Sequence, residues 1–174
     1  MRPADGRRAS SGGKRGGPAS AGASGGGGRS NRASAKKMTI ASDYTDAREV
    51  QRLILEEIDK AGFDHDTQFG IKLALEEAII NAIKHGNKLN KKKQVHVEWR
   101  VTPQMVEIMI EDEGPGFDRR SVPDPTHDGK LEKLTGRGIL LIESYMSNVE
   151  WSKGGRRVRL VKKNPSTTRG AKSA

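Results

Sequence analysis

Strict two-residue alternation in two adjoining stretches constrains this chain more than any other feature. Val95, Val97, Trp99 and Val101 alternate with His96, Glu98 and Arg100, and Val106, Ile108 and Ile110 alternate with Glu107, Met109 and Glu111. Successive side chains of a strand point to opposite faces, so each stretch reads as a strand with one apolar and one polar face. Thr102-Pro103-Gln104 between them is a hairpin connection, which makes the pair antiparallel. Val149-Glu150-Trp151 and Val158-Arg159-Leu160-Val161 form a second pair around a Gly154-Gly155 turn. A sheet that is apolar on one face needs helices to cover it.

The chain supplies those helices. Lys37 to Ala41 reads as a short strand, and Ser42 or Asp43 caps the helix that follows. Val50, Leu53, Ile54, Ile58 and Ala61 make one apolar stripe at helical spacing, and Ala61-Gly62 ends the helix. Asp64 or Asp66 opens the next helix, whose core face holds Ile71, Leu75, Ala78, Ile79 and Ala82. It is predicted to run to about His85, with Gly86-Asn87 as the stop. Residues 118–135 are polar, contain prolines and lack periodicity, so they read as a mobile loop, and Gly138 to Met146 reads as a short helix. The expected fold is a two-layer α/β (α+β) sandwich: a mostly antiparallel sheet with helices on one face, in the order β-α-α-β-β-loop-α-β-β.

Composition matters chiefly for the ends. The net charge is +10, but residues 1–37 carry +8, 162–174 carry +4, and the intervening 38–161 carry −2. Residues 1–37 contain no Leu, Ile, Val or aromatic side chain, so they cannot bury enough apolar surface to offset the entropy of ordering. They are expected to be a disordered basic Gly/Ser/Arg-rich tail, and 164–174 a second one, around a folded domain at 38–163. Nothing aromatic interleaves the basic residues, so no specific nucleic-acid partner is expected. No apolar run approaches the roughly 20 residues that span a bilayer, and no secretory h-region stands at the N-terminus, so no membrane partner is expected either. The chain has no cysteine. That excludes disulfides and thiolate metal sites and fits a reducing compartment.

Three short motifs carry the chemistry. Glu77 and Asn81 are four apart on a helix and share a face, with Ala74 and Lys84 or His85 on the adjoining turns. A carboxylate and an amide projecting together suit a general base beside an oxygen ligand for Mg²⁺; the plainer reading is an exposed Glu and a polar Asn. Asp112 keeps the parity of Val106, Ile108 and Ile110, so it lies on the core side at a strand's end. A buried carboxylate needs a donor, such as the exocyclic amine of adenine. Gly114 and Gly116 follow and let the backbone turn and approach a ligand closely; the plainer reading is a surface turn. Gly136-Arg137-Gly138 precedes a predicted helix, where free N–H groups can receive phosphate oxygens and Arg137 can reach a terminal phosphate.

In this order and on these elements, the motifs resemble the Bergerat-fold ATPases, the superfamily of gyrase and the histidine kinases. Glu77-x-x-x-Asn81 is similar to the N box, and Asp112-x-Gly114-x-Gly116 and Gly136-Arg137-Gly138 to the two glycine boxes. Leu75 to Gly86, Val122-Pro123-Asp124-Pro125 and Gly136-Arg137-Gly138-Ile139 look most like the small anti-sigma factor serine/threonine kinases. The resemblance covers about 38–163, and no phosphoacceptor-histidine helix pair precedes it. It implies ATP and Mg²⁺ as cofactors, Glu77 as the base for a partner's serine hydroxyl, and Asn81 as the Mg²⁺ ligand. Asp112 would bind adenine, and His85, Gly114, Gly116, Gly136, Arg137 and Gly138 would also contact the nucleotide. Residues 118–138 would form a lid. The implied partners are an anti-anti-sigma-type protein and a sigma factor in the cytoplasm, with a homodimer left open. The other class of function consistent with these residues is an ATP-binding switch without phosphotransfer. One departure stands out: where that family often has a Thr near the last strand that helps bind adenine, this chain has Gly155-Arg156-Arg157.

Overall fold

The structure is a computed structural model and describes residues 34–116 and 134–169. The chain divides into two units, 1–31 and 32–174, of which the first lies outside the described residues. So do most of the loop and lid expected between 118 and 138, and residues 170–174.

Five strands make one sheet: β1 Lys36–Ala41, β2 Gln94–Val101, β3 Met105–Asp112, β4 Asn148–Ser152 and β5 Arg157–Lys163. Their spatial order is β1-β2-β3-β5-β4, with every neighbouring pair antiparallel. Burial alternates along β3 without a break, as its sequence requires. The buried side chains Val95, Val97, Trp99, Val106, Ile108, Ile110, Val158 and Leu160 form the sheet's half of the core. The polar side chains of the other face pair across strands: Arg159 with Glu107 and Glu150, and Glu111 with Lys153 and Arg157.

Helices α1 (Tyr44–Lys60) and α2 (His65–Ile80) supply the other layer through Val50, Ile54 and Ile58 and through Ile71, Ala74, Leu75, Ala78 and Ile79. Of the two possible caps for each helix, Asp43 accepts from the Thr45 N–H and Asp64 from the Thr67 N–H, both at 2.8 Å. Gly62 then takes φ +78°, the left-handed conformation that ends α1 at little steric cost.

Three differences from expectation bear on function. First, the helix predicted to run to His85 does continue to Gly86, but Asn81–Gly86 is wound as a π-helix. The Asn87 N–H accordingly reaches back to the Ala82 carbonyl at 2.8 Å. Second, α3 spans Leu134–Tyr145, so Gly136-Arg137-Gly138 forms its first turns rather than preceding it. The N–H groups of Gly136 and Arg137 still fall among the first four of the helix, which lack an intrahelical partner. Gly138 sits where α3 closes on α2, and a Cβ there would come within 2.7 Å of the flexible end of Glu77. Third, Pro165–Arg169 forms a short helix, α4, where a tail was expected. Asn164 is the reason. Only 2% exposed, it donates its N–H to the Gln104 carbonyl (2.7 Å) and its Nδ2 to the carbonyls of Pro103 (2.9 Å) and Gly62 (3.3 Å), while its Oδ1 accepts from the Ser166 N–H (3.1 Å).

Candidate active site

A cavity of about 190 Å³ opens between the π-helical segment, the end of β3, the start of α3 and the β4–β5 hairpin. Its walls are mainly apolar, from Ala78, Ala82, Ile110, Ile139, Trp151 and Val158, with a few polar groups set among them. Sites for small organic ligands have this composition. Of the sequence-predicted residues, Asn81, His85, Asp112 and Gly116 line it directly.

Asp112 is 7% exposed, as its parity requires. Its Oδ1 accepts from the Gly114 N–H at 2.8 Å, and its own N–H donates to the Arg156 carbonyl at 3.0 Å. Oδ2 accepts no hydrogen bond among the described residues. Burial pushes this carboxyl above the usual carboxylate value, opposed by the Gly114 N–H and by the charges of Arg156 and Lys93. Glycine is required around it. A Cβ on Gly86 would lie 2.3 Å from Asp112 Cγ, and one on Gly114 would lie 2.0 Å from the Gly86 carbonyl oxygen. Gly114 is thus buried beneath the carboxylate rather than on the cavity wall. Gly116, at φ +82°, packs against the Gly154 carbonyl and the Arg156 stem.

Asn87 holds this corner together. It is fully buried; its Nδ2 donates to Ser42 Oγ (2.6 Å) and the Gln94 carbonyl (2.8 Å), and its Oδ1 accepts from the Glu113 N–H (2.9 Å). The end of the π-helix, the start of β2 and the first glycine box are therefore tied to one amide.

Asn81 lines the cavity, whereas Glu77, one turn earlier in the helical run, does not line it and meets the start of α3 instead. A Cβ on Gly138 would meet Glu77 Oε2 at 2.7 Å and Asn81 Nδ2 at 3.6 Å, so glycine lets this helix start approach both side chains. Asn81 Nδ2 is buried and has no hydrogen-bond partner among the described residues. Buried amides are normally satisfied, so a free one lining a cavity is available to a ligand. With the amide turned over, Asn81 presents an acceptor oxygen suited to a cation. No cluster of three or more His, Cys, Asp or Glu side chains that could hold a metal occurs among the described residues. A hard cation at Asn81 would therefore share the ligand's oxygens and keep its waters, as Mg²⁺ does beside phosphates.

His85 lies on the wall, held below its ordinary value by burial and by the neighbouring charges of Lys84 and Lys88. Gly136 and Arg137 belong to the first turn of α3, and the Arg137 side chain lies outside the described residues. Sequence reasoning missed Lys88, Trp151 and Arg156 as cavity residues. Arg156 was noted only for what it replaced. Its parity with Val158 and Leu160 was the available signal, because that parity points it to the cavity side of β5.

An antiparallel sheet under α1–α3, with a cavity between the N-box helix and two glycine boxes, defines a Bergerat-type nucleotide-binding fold. Residues 40–162 match the histidine kinase-like ATPase domain. The chain is 32% identical over 108 residues to the serine-protein kinase RsbW of Oceanobacillus iheyensis, covering 58% of this chain and 68% of that one. It is 30% identical over 97 residues to the RsbW of Listeria monocytogenes, covering 52% of this chain and 62% of that one. The anti-sigma F factor of Clostridium perfringens is 29% identical over 101 residues, covering 56% and 72%. The crystal structure of the RsbU and RsbW domains of a Mycobacterium tuberculosis protein superposes at TM-score 0.51 with 18% identity, over 75% of this chain and 31% of that one, which shows the shared fold. The chain belongs to the histidine kinase-like ATPase family and, within it, to the anti-sigma serine/threonine kinases.

Proposed function

We propose that this protein is an ATP-dependent serine/threonine kinase that regulates transcription as an anti-sigma factor, transferring phosphate to a serine of an anti-anti-sigma-type partner and sequestering a sigma factor in the cytoplasm. The observation that carries the reading is the juxtaposition of Glu77 and the orphaned Asn81 amide at the glycine-lined start of α3, across the cavity from the buried Asp112. Asp112 accepts from the adenine amine through Oδ2, and the apolar walls take the base. Phosphate oxygens face the N–H groups of Gly136 and Arg137, with the Arg137 guanidinium as a further donor. His85 contributes a wall to the nucleotide, and Gly114, Gly116 and Gly138 let the backbone close around it. Asn81 holds Mg²⁺, which when bound neutralises phosphate charge. Glu77 takes the proton of the partner's serine hydroxyl as its oxygen bonds to the terminal phosphorus and the bond to ADP breaks.

Relatives named as serine-protein kinases and an anti-sigma factor support this reading over a binding-only switch. So does Glu77, since nucleotide binding alone needs no base. The test is incubation with labelled ATP, Mg²⁺ and candidate anti-anti-sigma proteins from the same genome. Transfer of label to a serine is the expected result; ATP-dependent complex formation without transfer would favour the switch.

A further inference from the structure

Arg156 is set apart from the basic residues around it. Lys153, Arg157 and Arg159 each pair with a carboxylate on the sheet's outer face. Arg156 forms no direct ion pair among the described residues, although its charge acts on the Asp112 carboxyl; its Nε donates to the Lys153 carbonyl at 3.2 Å. Its parity with the buried Val158 and Leu160 turns it to the opposite side of the sheet from Arg157 and Arg159. There it lines the cavity, with its Cγ 3.3 Å from where a Gly116 Cβ would stand. Its backbone carbonyl accepts the Asp112 N–H, so the two residues are level at the same end of the cavity. A guanidinium has five donors, and the Lys153 carbonyl takes one of those of Arg156, which leaves the others for an acceptor brought into the cavity.

We infer that Arg156 is a specificity-determining residue of the base pocket, donating to a purine ring nitrogen that flanks the exocyclic amine accepted by Asp112. The inference rests on ATP occupying the cavity as proposed above. Asp112 alone reads one donor and accepts any ligand with an amine at that place. Arg156 adds a test for an adjacent acceptor, and a donor–acceptor pair read together is how adenine is told from other bases. The acceptor is N1 or N7, both of which lie beside the amine.

The test is calorimetric titration of the full chain with ATP, 1-deaza-ATP and 7-deaza-ATP, each analogue lacking one of those nitrogens. It is run on wild type and on Arg156→Met, which keeps a stem over Gly116 and loses every donor. Wild type should bind one analogue about tenfold or more weaker than ATP, the usual loss for a hydrogen bond to a charged group. Arg156→Met should bind ATP as weakly as wild type binds that analogue, and should not distinguish the two. Equal binding of all three nucleotides by wild type overturns the inference while leaving the nucleotide site standing, and it does so even if the variant fails to fold. So does discrimination that survives unchanged in Arg156→Met. A wild type that binds none of the three overturns the nucleotide reading itself.

Discussion

Asp112 stands where stability and use conflict. Its folded-state pKa is raised by burial, so the group favours the folded state below the ordinary value of 3.8 and loses that contribution as pH rises through the folded value. Once ionised, the carboxylate therefore opposes folding until a donor reaches it. Asp112→Asn should leave the nucleotide-free protein at least as stable at pH 7, because the amide oxygen keeps the Gly114 contact. It should weaken ATP binding by about tenfold or more through loss of the charged acceptor. Thermal melts beside calorimetric titration check both halves; unchanged ATP affinity removes Asp112 from the site. His85 acts with the opposite sign. Its lowered pKa makes stability present above the ordinary 6.5 and lost as pH falls through the folded value, so His85→Gln should flatten the acid-side decline of Tm. An identical decline in the variant would contradict this. The core position of Asp112 was legible because strand parity is local. The approach of Gly138 to Glu77 was not, because it joins residues 61 positions apart through the packing of two helices. Gly138→Ala should displace the flexible Glu77 carboxylate at small cost in stability, lowering phosphotransfer with little change in ATP affinity. Full transfer by this variant would detach Glu77 from the α3 contact.

At the scale of elements, the π-helical turn is the device that shapes the site. Winding Asn81–Gly86 wider than an α-helix brings Gly86 against Asp112 while Asn81 stays beside Glu77's turn. Such turns are rare and cluster at functional sites. The sequence pattern showed a helix reaching this point but not its winding, because six residues hold too few apolar positions to separate the two periods. Asn87 locks the result. Asn87→Ala should leave the Glu113 N–H and the Gln94 carbonyl unsatisfied and cost about 2–3 kcal/mol, read as a fall in denaturation midpoint. A midpoint within error of wild type would show that the junction is held by something else. The early start of α3 escaped sequence reasoning for a related reason. Two glycines in one turn argue locally for a loop, and only the contact with α2 favours the helix.

Across the whole molecule, the hairpin alternation, the apolar stripes and the Asp caps were sufficient to read the layer arrangement from sequence, since each is a local rule. The end of the domain was not, because Asn164 acts through carbonyls at Gly62, Pro103 and Gln104 that lie far away in sequence. Truncation after Lys163 should therefore lower Tm by several degrees, about 1 kcal/mol for each lost buried hydrogen bond, whereas an inert tail could be removed without effect. The central claim concerns catalysis by the assembled domain. It is tested most directly by the single-turnover rate of partner-serine phosphorylation, followed by mass spectrometry, for wild type and Glu77→Ala, with ATP saturating for both. Positioned proton acceptance is typically worth about 10²–10⁴-fold, so the variant should lose activity by that order while binding ATP as before. A Glu77→Ala protein that phosphorylates its partner at the wild-type rate would contradict the account.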